Sequence, residues 1–205
     1  MGCERSSGQD RPSQHFMFNQ NLIKSLKKGE LSVLPTDTLY GIHTLALNKK
    51  SVENVYKLRN RARKKAFIIL IGSINQLKLF KIKIDKKTNQ ILKKYWPGKV
   101  SIILPCPNRK FEYLHRGTNS LAFRLPNKKD LTNLLLKTGP LISTSVNPEG
   151  KPPAKTIKEA KEYFGDKIAN YIDQGIVDSL PSTVIKVQNG KIDILRQGKT
   201  LIHNE

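Results

Sequence analysis

Ala66-Phe67-Ile68-Ile69-Leu70-Ile71 is an unbroken apolar run between a cationic stretch and Gly72. A half-exposed strand alternates polar and apolar residues, so a short run without alternation predicts a strand covered on both faces. Such a strand demands packed layers around it. The remaining sequence supplies them by alternating helical and extended patterns. Residues from Asn19 place Leu22, Ile23 and Leu26 on one helical face, with Gly29 as a stop. Ser51 is placed to cap a second helix carrying Val52, Val55, Tyr56 and Leu58. Further helices are expected over 74–80, 88–95, 131–137 and 157–164. Strands are expected over 31–34, 42–47, 100–104, 121–125 and 141–145, and a closing hairpin pairs 183–187 with 191–195 around Asn189-Gly190. Interleaving of this kind predicts the α/β (α+β) class with a mixed sheet.

The chain has 205 residues, which suits one domain. Residues 1–17 are polar and aperiodic and read as a disordered tail, leaving 18–205 as the folded unit. No apolar run nears the roughly 20 residues of a membrane span, and the first sixteen residues lack the apolar centre of a secretory signal. The expected location is the cytoplasm, without a membrane. Met1-Gly2-Cys3-Glu4-Arg5-Ser6 fits a loose N-myristoylation pattern, which chance explains as well. Cys3 and Cys106 have no metal-like spacing. Lys and Arg number 37 against 16 acids, a net charge of +21. A field of that sign gathers polyanions such as nucleotides and RNA. The abundance of Lys, Ile and Asn explains the same charge as compositional habit.

Polar clusters stand where strands end. Pro35-Thr36-Asp37-Thr38-Leu39-Tyr40-Gly41 could hold a small polar substrate on hydroxyls and amides, or could be an ordinary turn. Residues 57–65 hold six cations in nine positions: Lys57, Arg59, Arg61, Arg63, Lys64 and Lys65. Some can cap the helix before them. Their mutual repulsion is more easily explained by an anion among them, and a triphosphate suits Arg forks and Lys point charges. No Walker A loop is present. Ser143, Ser145 and Asn147 share one side if their strand persists, and three converging hydrogen-bonding groups call for a ligand or water. Arg124 sits on an otherwise apolar strand and needs an anionic partner, internal or external.

These pieces resemble the YrdC/TsaC family. Residues 35–41 are similar to its opening signature, and Tyr56-Lys57-Leu58-Arg59-Asn60-Arg61 occupies the place of its Lys-x-Arg motif. Trp96-Pro97-Gly98-Lys99-Val100-Ser101, Ser145-Val146-Asn147, Ser182-Thr183-Val184 and Leu195-Arg196-Gln197-Gly198 follow in the family's order. The likeness spans about residues 20–200. It implies a single-domain twisted mixed sheet, with flanking helices around a large basic cavity. It also implies a threonylcarbamoyladenylate synthase, which joins L-threonine, bicarbonate and ATP and releases pyrophosphate. Catalysis would be positioning and charge stabilisation by Arg59, Arg61, Ser145 and Asn147. ATP would meet Lys57, Arg59, Arg61, Lys65, Ser120, Ser145, Asn147 and Arg196. Threonine would meet Thr36, Thr38, Arg124, Ser143 and Ser182. ATP enters as substrate and magnesium as a phosphate clamp, with no protein-held metal and no prosthetic group. The implied partners are a threonylcarbamoyl transferase complex and tRNA or double-stranded RNA.

The sequence departs from the family at several of these places. Arg59 replaces the motif Lys, Ala62 a Pro, Leu70 a threonine-contacting His of longer relatives, and Pro153 a Ser. Lys65 stands where relatives carry Asn or Lys. Two other readings remain: a non-catalytic RNA-binding module of the same fold, and a domain that handles carbamoyl-adenylate.

Overall fold

The computed structural model describes residues 18–62, 64–188 and 190–203. The expected tail, the Gly2-Cys3 pattern, Arg63 and Asn189 lie outside them. Six α-helices occur among the described residues: α1 (Gln20–Lys27), α2 (Lys49–Arg59), α3 (Lys86–Tyr95), α4 (Glu112–His115), α5 (Lys129–Thr138) and α6 (Ile157–Phe164). Nine strands join them: β1 (Ser32–Pro35), β2 (Tyr40–Leu45), β3 (Ile68–Leu70), β4 (Val100–Pro105), β5 (Ser120–Arg124), β6 (Leu141–Ser145), β7 (Asn170–Tyr171), β8 (Thr183–Gln188) and β9 (Lys191–Arg196). They form one twisted sheet in the order β7-β1-β2-β6-β3-β5-β4-β8-β9. Parallel pairings (β1–β7, β3–β5, β4–β8) mix with antiparallel ones, as the interleaved pattern predicts.

The apolar run is covered on both sides. Ile69 packs with Val33, Ile42 and Phe123 on one face, while Leu70 joins Leu26, Leu131, Leu135 and Leu141 under α1 and α5 on the other. Alternation then puts Gly41, His43, Ser143, Ser145, Ile68, Ala122 and Arg124 on the face of Leu70. Away from α1 and α5, this face opens into a cavity.

Local signals differ from expectation in instructive ways. Asn48, not Ser51, caps α2, its side chain accepting from Ser51 N at 3.1 Å. Asn48 is extended at φ −107°, which lets its side chain fold over the first turn, whereas Ser51 is already helical. Asp85 likewise starts α3 two residues earlier than expected, accepting from Thr88 N at 2.7 Å. Residues 74–80 form the expected short helix, of the 3-10 type. β7 and α4 are too short for periodicity to reveal. Among the described residues, no helix is long and apolar enough to cross a membrane.

Candidate functional site

The cavity measures about 650 Å³, within the range of small-molecule sites, roughly 300–1,000 Å³. Its floor is the open part of the sheet face, with Gly41, Ile68, Ala122, Ser143 and Ser145 aligned by register. Gly41 lies opposite Ser145, and Ser143 is flanked by His43 and Ile68. Among the described residues, five cations line it, Arg61, Lys64, Arg124, Lys155 and Arg196, against one acid, Asp178.

The turn between β1 and β2 forms one wall. Thr36 Oγ1 donates to Leu39 O at 2.7 Å and accepts from Thr38 N and Leu39 N. Its hydroxyl is therefore occupied in shaping the turn that presents Thr38 to the cavity. The next residue, Asp37, answers the question that Arg124 poses. Arg124 reaches over the sheet face and its Nη1 pairs with Asp37 Oδ1, while Asp37 Oδ2 accepts from Asn127 N at 3.1 Å. Burial pulls the Arg124 guanidinium down in pKa, and Asp37 opposes the pull. Arg124 Nε is buried, yet has no partner among the described residues.

The cationic stretch divides into two parts. Arg61 lies in the loop after α2 and lines the cavity with its guanidinium 5.3 Å from the Phe67 ring centroid. Its Nε donates to Lys65 O at 3.1 Å, and burial lowers its pKa. Arg59 instead turns inward and does not line the cavity. Its Nε donates to Asn147 O at 2.6 Å, its Nη2 to Asn147 Oδ1 at 2.9 Å, and its Nη1 to Thr144 Oγ1. Burial first, then the charge of Arg61, pulls its pKa down to about 10. β6 stops at Ser145, so Asn147 leaves the strand alternation and donates to Pro148 O and Lys151 O. Ser145 Oγ donates to Asn147 Oδ1 at 2.6 Å while still lining the cavity.

Of the residues singled out in the sequence, the cavity brings together Thr36, Thr38, Arg61, Ser120, Arg124, Ser143, Ser145, Ser182 and Arg196. Lys57 points away on the exposed side of α2. Lys65 is exposed and paired with Glu149, whose other oxygen accepts from Ala62 N. Ser182, just before β8, shares a hydrogen bond with Ser101 of β4, and Arg196 Nη2 donates to Ser182 O at 2.8 Å. Sequence reasoning missed Glu149, Asp37 as the partner of Arg124, and the Lys155–Asp178 pair at 2.8 Å on the cavity wall.

A model of the Sua5/YciO/YrdC family, described as "Telomere recombination", matches residues 24–198. The chain belongs to the Sua5/YciO/YrdC family. It is 29% identical over 185 residues to the threonylcarbamoyl-AMP synthase of Marinobacter nauticus, covering 89% of this chain and 97% of that one. It is 30% identical over 178 residues to the putative threonylcarbamoyl-AMP synthase of Methanocaldococcus jannaschii, covering 86% and 84%. Among solved structures it is similar to P. abyssi Sua5 complexed with L-threonine, with TM-score 0.79 and 28% identity, over 86% of this chain and 52% of that one.

In this member of the Sua5/YciO/YrdC family, His43 lies beneath the cavity floor, fully buried. Burial, aided by Arg124 and opposed by backbone carbonyls, lowers its pKa from 6.5 to about 4. Between those values the unfolded chain binds a proton that the folded chain refuses. His43 therefore contributes stability that is whole above about pH 6.5 and lost as pH falls toward 4, roughly 3 kcal/mol in all. Urea unfolding at pH 4.5, 5.5 and 7 should show this acid decline in the native chain and a shallower one in His43→Gln. Equal declines would remove His43 from the account.

Proposed function

We propose that this chain is an L-threonylcarbamoyladenylate synthase. The observation that carries the reading is one cavity with two separate cationic centres. Arg124 is fixed beside the hydroxyl-rich turn of Thr36 and Thr38. Arg61 and Lys64 stand on the loop after α2. The reaction needs two such centres, one for an amino-acid carboxylate and one for a triphosphate. The names of the relatives favour the same activity.

In this reading the threonine amine condenses with bicarbonate to a carbamate, releasing water. A carbamate oxygen attacks the α-phosphorus of ATP, the bond to the β-phosphate oxygen breaks, and pyrophosphate leaves. Arg124 orients the threonine carboxylate while Thr38, Ser143 and Ser182 surround the remainder. Arg61, Lys64 and Arg196 offset charge as it builds on the leaving group, with Ser120 and Ser145 on the nucleotide side. Arg59 and Asn147 hold the end of β6, which carries Ser145. Magnesium would travel on the phosphates and offset their charge: among the described residues the cavity wall offers it one carboxylate, Asp178. The product would pass to a threonylcarbamoyl transferase acting on tRNA, and the net charge of +21 favours an RNA-facing cytoplasmic role.

The test incubates the protein with ATP, threonine and labelled bicarbonate. Threonine-dependent pyrophosphate and a labelled acyl-adenylate are expected. Pyrophosphate without threonine would favour carbamoyl-adenylate chemistry. Salt-sensitive RNA binding without turnover would favour the RNA-binding module. Arg61→Ala should weaken ATP binding about 30-fold, as befits a lost charge-assisted contact, with threonine binding within about 3-fold. Titration calorimetry with each ligand separates the two, and equal losses would place Arg61 outside the nucleotide site.

A further inference from the structure

Among the described cations of the cavity wall, Lys155 alone has no part in the reaction above. Its ammonium pairs with Asp178 at 2.8 Å, and the two side chains remain 54% and 61% exposed. Among the described residues, Asp178 is the one acid of the wall and Lys155 is its one hydrogen-bond partner. An ion pair this wet contributes little to stability, because water and salt screen it. It can therefore exchange partners at small cost. Arg124 and Asp37 are the contrast, since both are buried and fixed to each other.

The backbone keeps this pair at one place on the wall. Lys155 precedes Thr156, the N-cap of α6, and its N–H donates to Glu159 Oε2 at 2.7 Å. Glu159 is thereby occupied, and it does not line the cavity. Asp178 stands on residues 172–182, which form neither helix nor strand between β7 and β8. Gln174 N donates to Tyr40 Oη at 2.9 Å, and Val177 N donates to Lys155 O at 2.9 Å. The second bond joins the two backbones that carry the pair. Both side chains therefore stay on the same stretch of wall when they let go of each other.

A polyphosphate entering the cavity offers Lys155 a stronger partner than one carboxylate. Taking it would strand Asp178 beside an anion. A divalent cation on the phosphates removes that repulsion. Magnesium keeps several waters and is held by one or two carboxylates together with substrate phosphates, and a single carboxylate on the wall meets that demand. We propose that Lys155 and Asp178 form an exchangeable pair that selects the magnesium-bound nucleotide over the bare one. Lys155 passes from Asp178 to a phosphate oxygen, and Asp178 turns to the hydrated ion that the phosphates carry. This rests on the synthase reading and deepens it. The discrimination lies in Asp178, which is left as an unpaired charge against the wrong form of the substrate.

The test titrates the full chain calorimetrically with ATP, once in excess magnesium and once in EDTA, with L-threonine as the control ligand. The native chain should prefer the magnesium complex about 10-fold, since a like charge opposes the bare nucleotide. Asp178→Asn should cut that preference to within about 3-fold, chiefly by binding bare ATP more tightly, because it frees Lys155 and removes the opposing charge. Asp178→Glu should keep most of the preference. Lys155→Met should widen it: both forms bind more weakly, bare ATP most of all. Threonine affinity should stay unchanged in all three variants. Equal preference in the native chain and Asp178→Asn would overturn the inference and leave the synthase reading standing. Shifts of the same sign in Asp178→Asn and Lys155→Met would also overturn it, reducing the pair to a contact that holds residues 172–182 in place. A native chain that binds ATP in neither form would sink the synthase reading itself, and the inference with it.

Discussion

Arg124→Met is expected to lower threonine-dependent turnover about 1,000-fold and to destabilise the fold by about 4 kcal/mol. The two effects have different causes. The stability loss comes from Asp37. Its carboxylate is buried, and without Arg124 it keeps only Asn127 N as a donor among the described residues. Breaking a buried pair from one side costs about 3–5 kcal/mol because a charge is left uncompensated. The activity loss comes from the missing partner for the substrate carboxylate, where truncating a buried charge pair costs about 2–5 kcal/mol. The double variant Asp37→Asn, Arg124→Met separates them. It buries no charge, so urea unfolding should return to within about 1 kcal/mol of the native chain, while turnover stays at the level of Arg124→Met. Turnover that returned with stability would make Arg124 a structural residue and empty the proposed threonine subsite.

Much of the fold could be read from local pattern. The unbroken run at Ala66–Ile71 fixed a strand covered on both sides, and Ile69 and Leu70 do face opposite cores. Alternation along β6 correctly put Ser143 and Ser145 on one side, but it failed at Asn147 because the strand ends at Ser145. The cationic stretch was read as one grip, although helical spacing already divides it. Val52, Val55, Tyr56 and Arg59 recur at intervals of three and four and form the buried face of α2, leaving Lys57 outside. The pairing of Arg124 with Asp37 could not be read this way, since it joins residues 87 positions apart.

The inward turn of Arg59 leads to the second large effect. Arg59→Ala should destabilise the chain by about 4 kcal/mol and weaken ATP binding roughly 10-fold, although Arg59 does not line the cavity. One guanidinium serves three acceptors: Asn147 O, Asn147 Oδ1 and Thr144 Oγ1. Each is a hydrogen bond from a charged donor, worth about 1.5–3 kcal/mol, and of the three acceptors Asn147 O is left buried without a donor among the described residues while Asn147 Oδ1 keeps Ser145. Its backbone contributes separately, since Arg59 O accepts from Glu149 N at 3.0 Å and survives the substitution. The end of β6 and the residues after it should therefore loosen over Thr144–Asn147 while Glu149 keeps its hold on Ala62 N. Ser145 then loses its fixed partner, because Asn147 Oδ1 accepts from both Arg59 and Ser145. Hydrogen exchange should quicken over 144–147 and stay slow in β3. Arg59→Lys tests the geometry: a compact ammonium keeps the charge but cannot present Nε, Nη1 and Nη2 as a rigid fork. It should recover about half of the lost stability. A full recovery would show that charge alone holds the loop, and no loss in Arg59→Ala would detach the loop from Arg59 altogether.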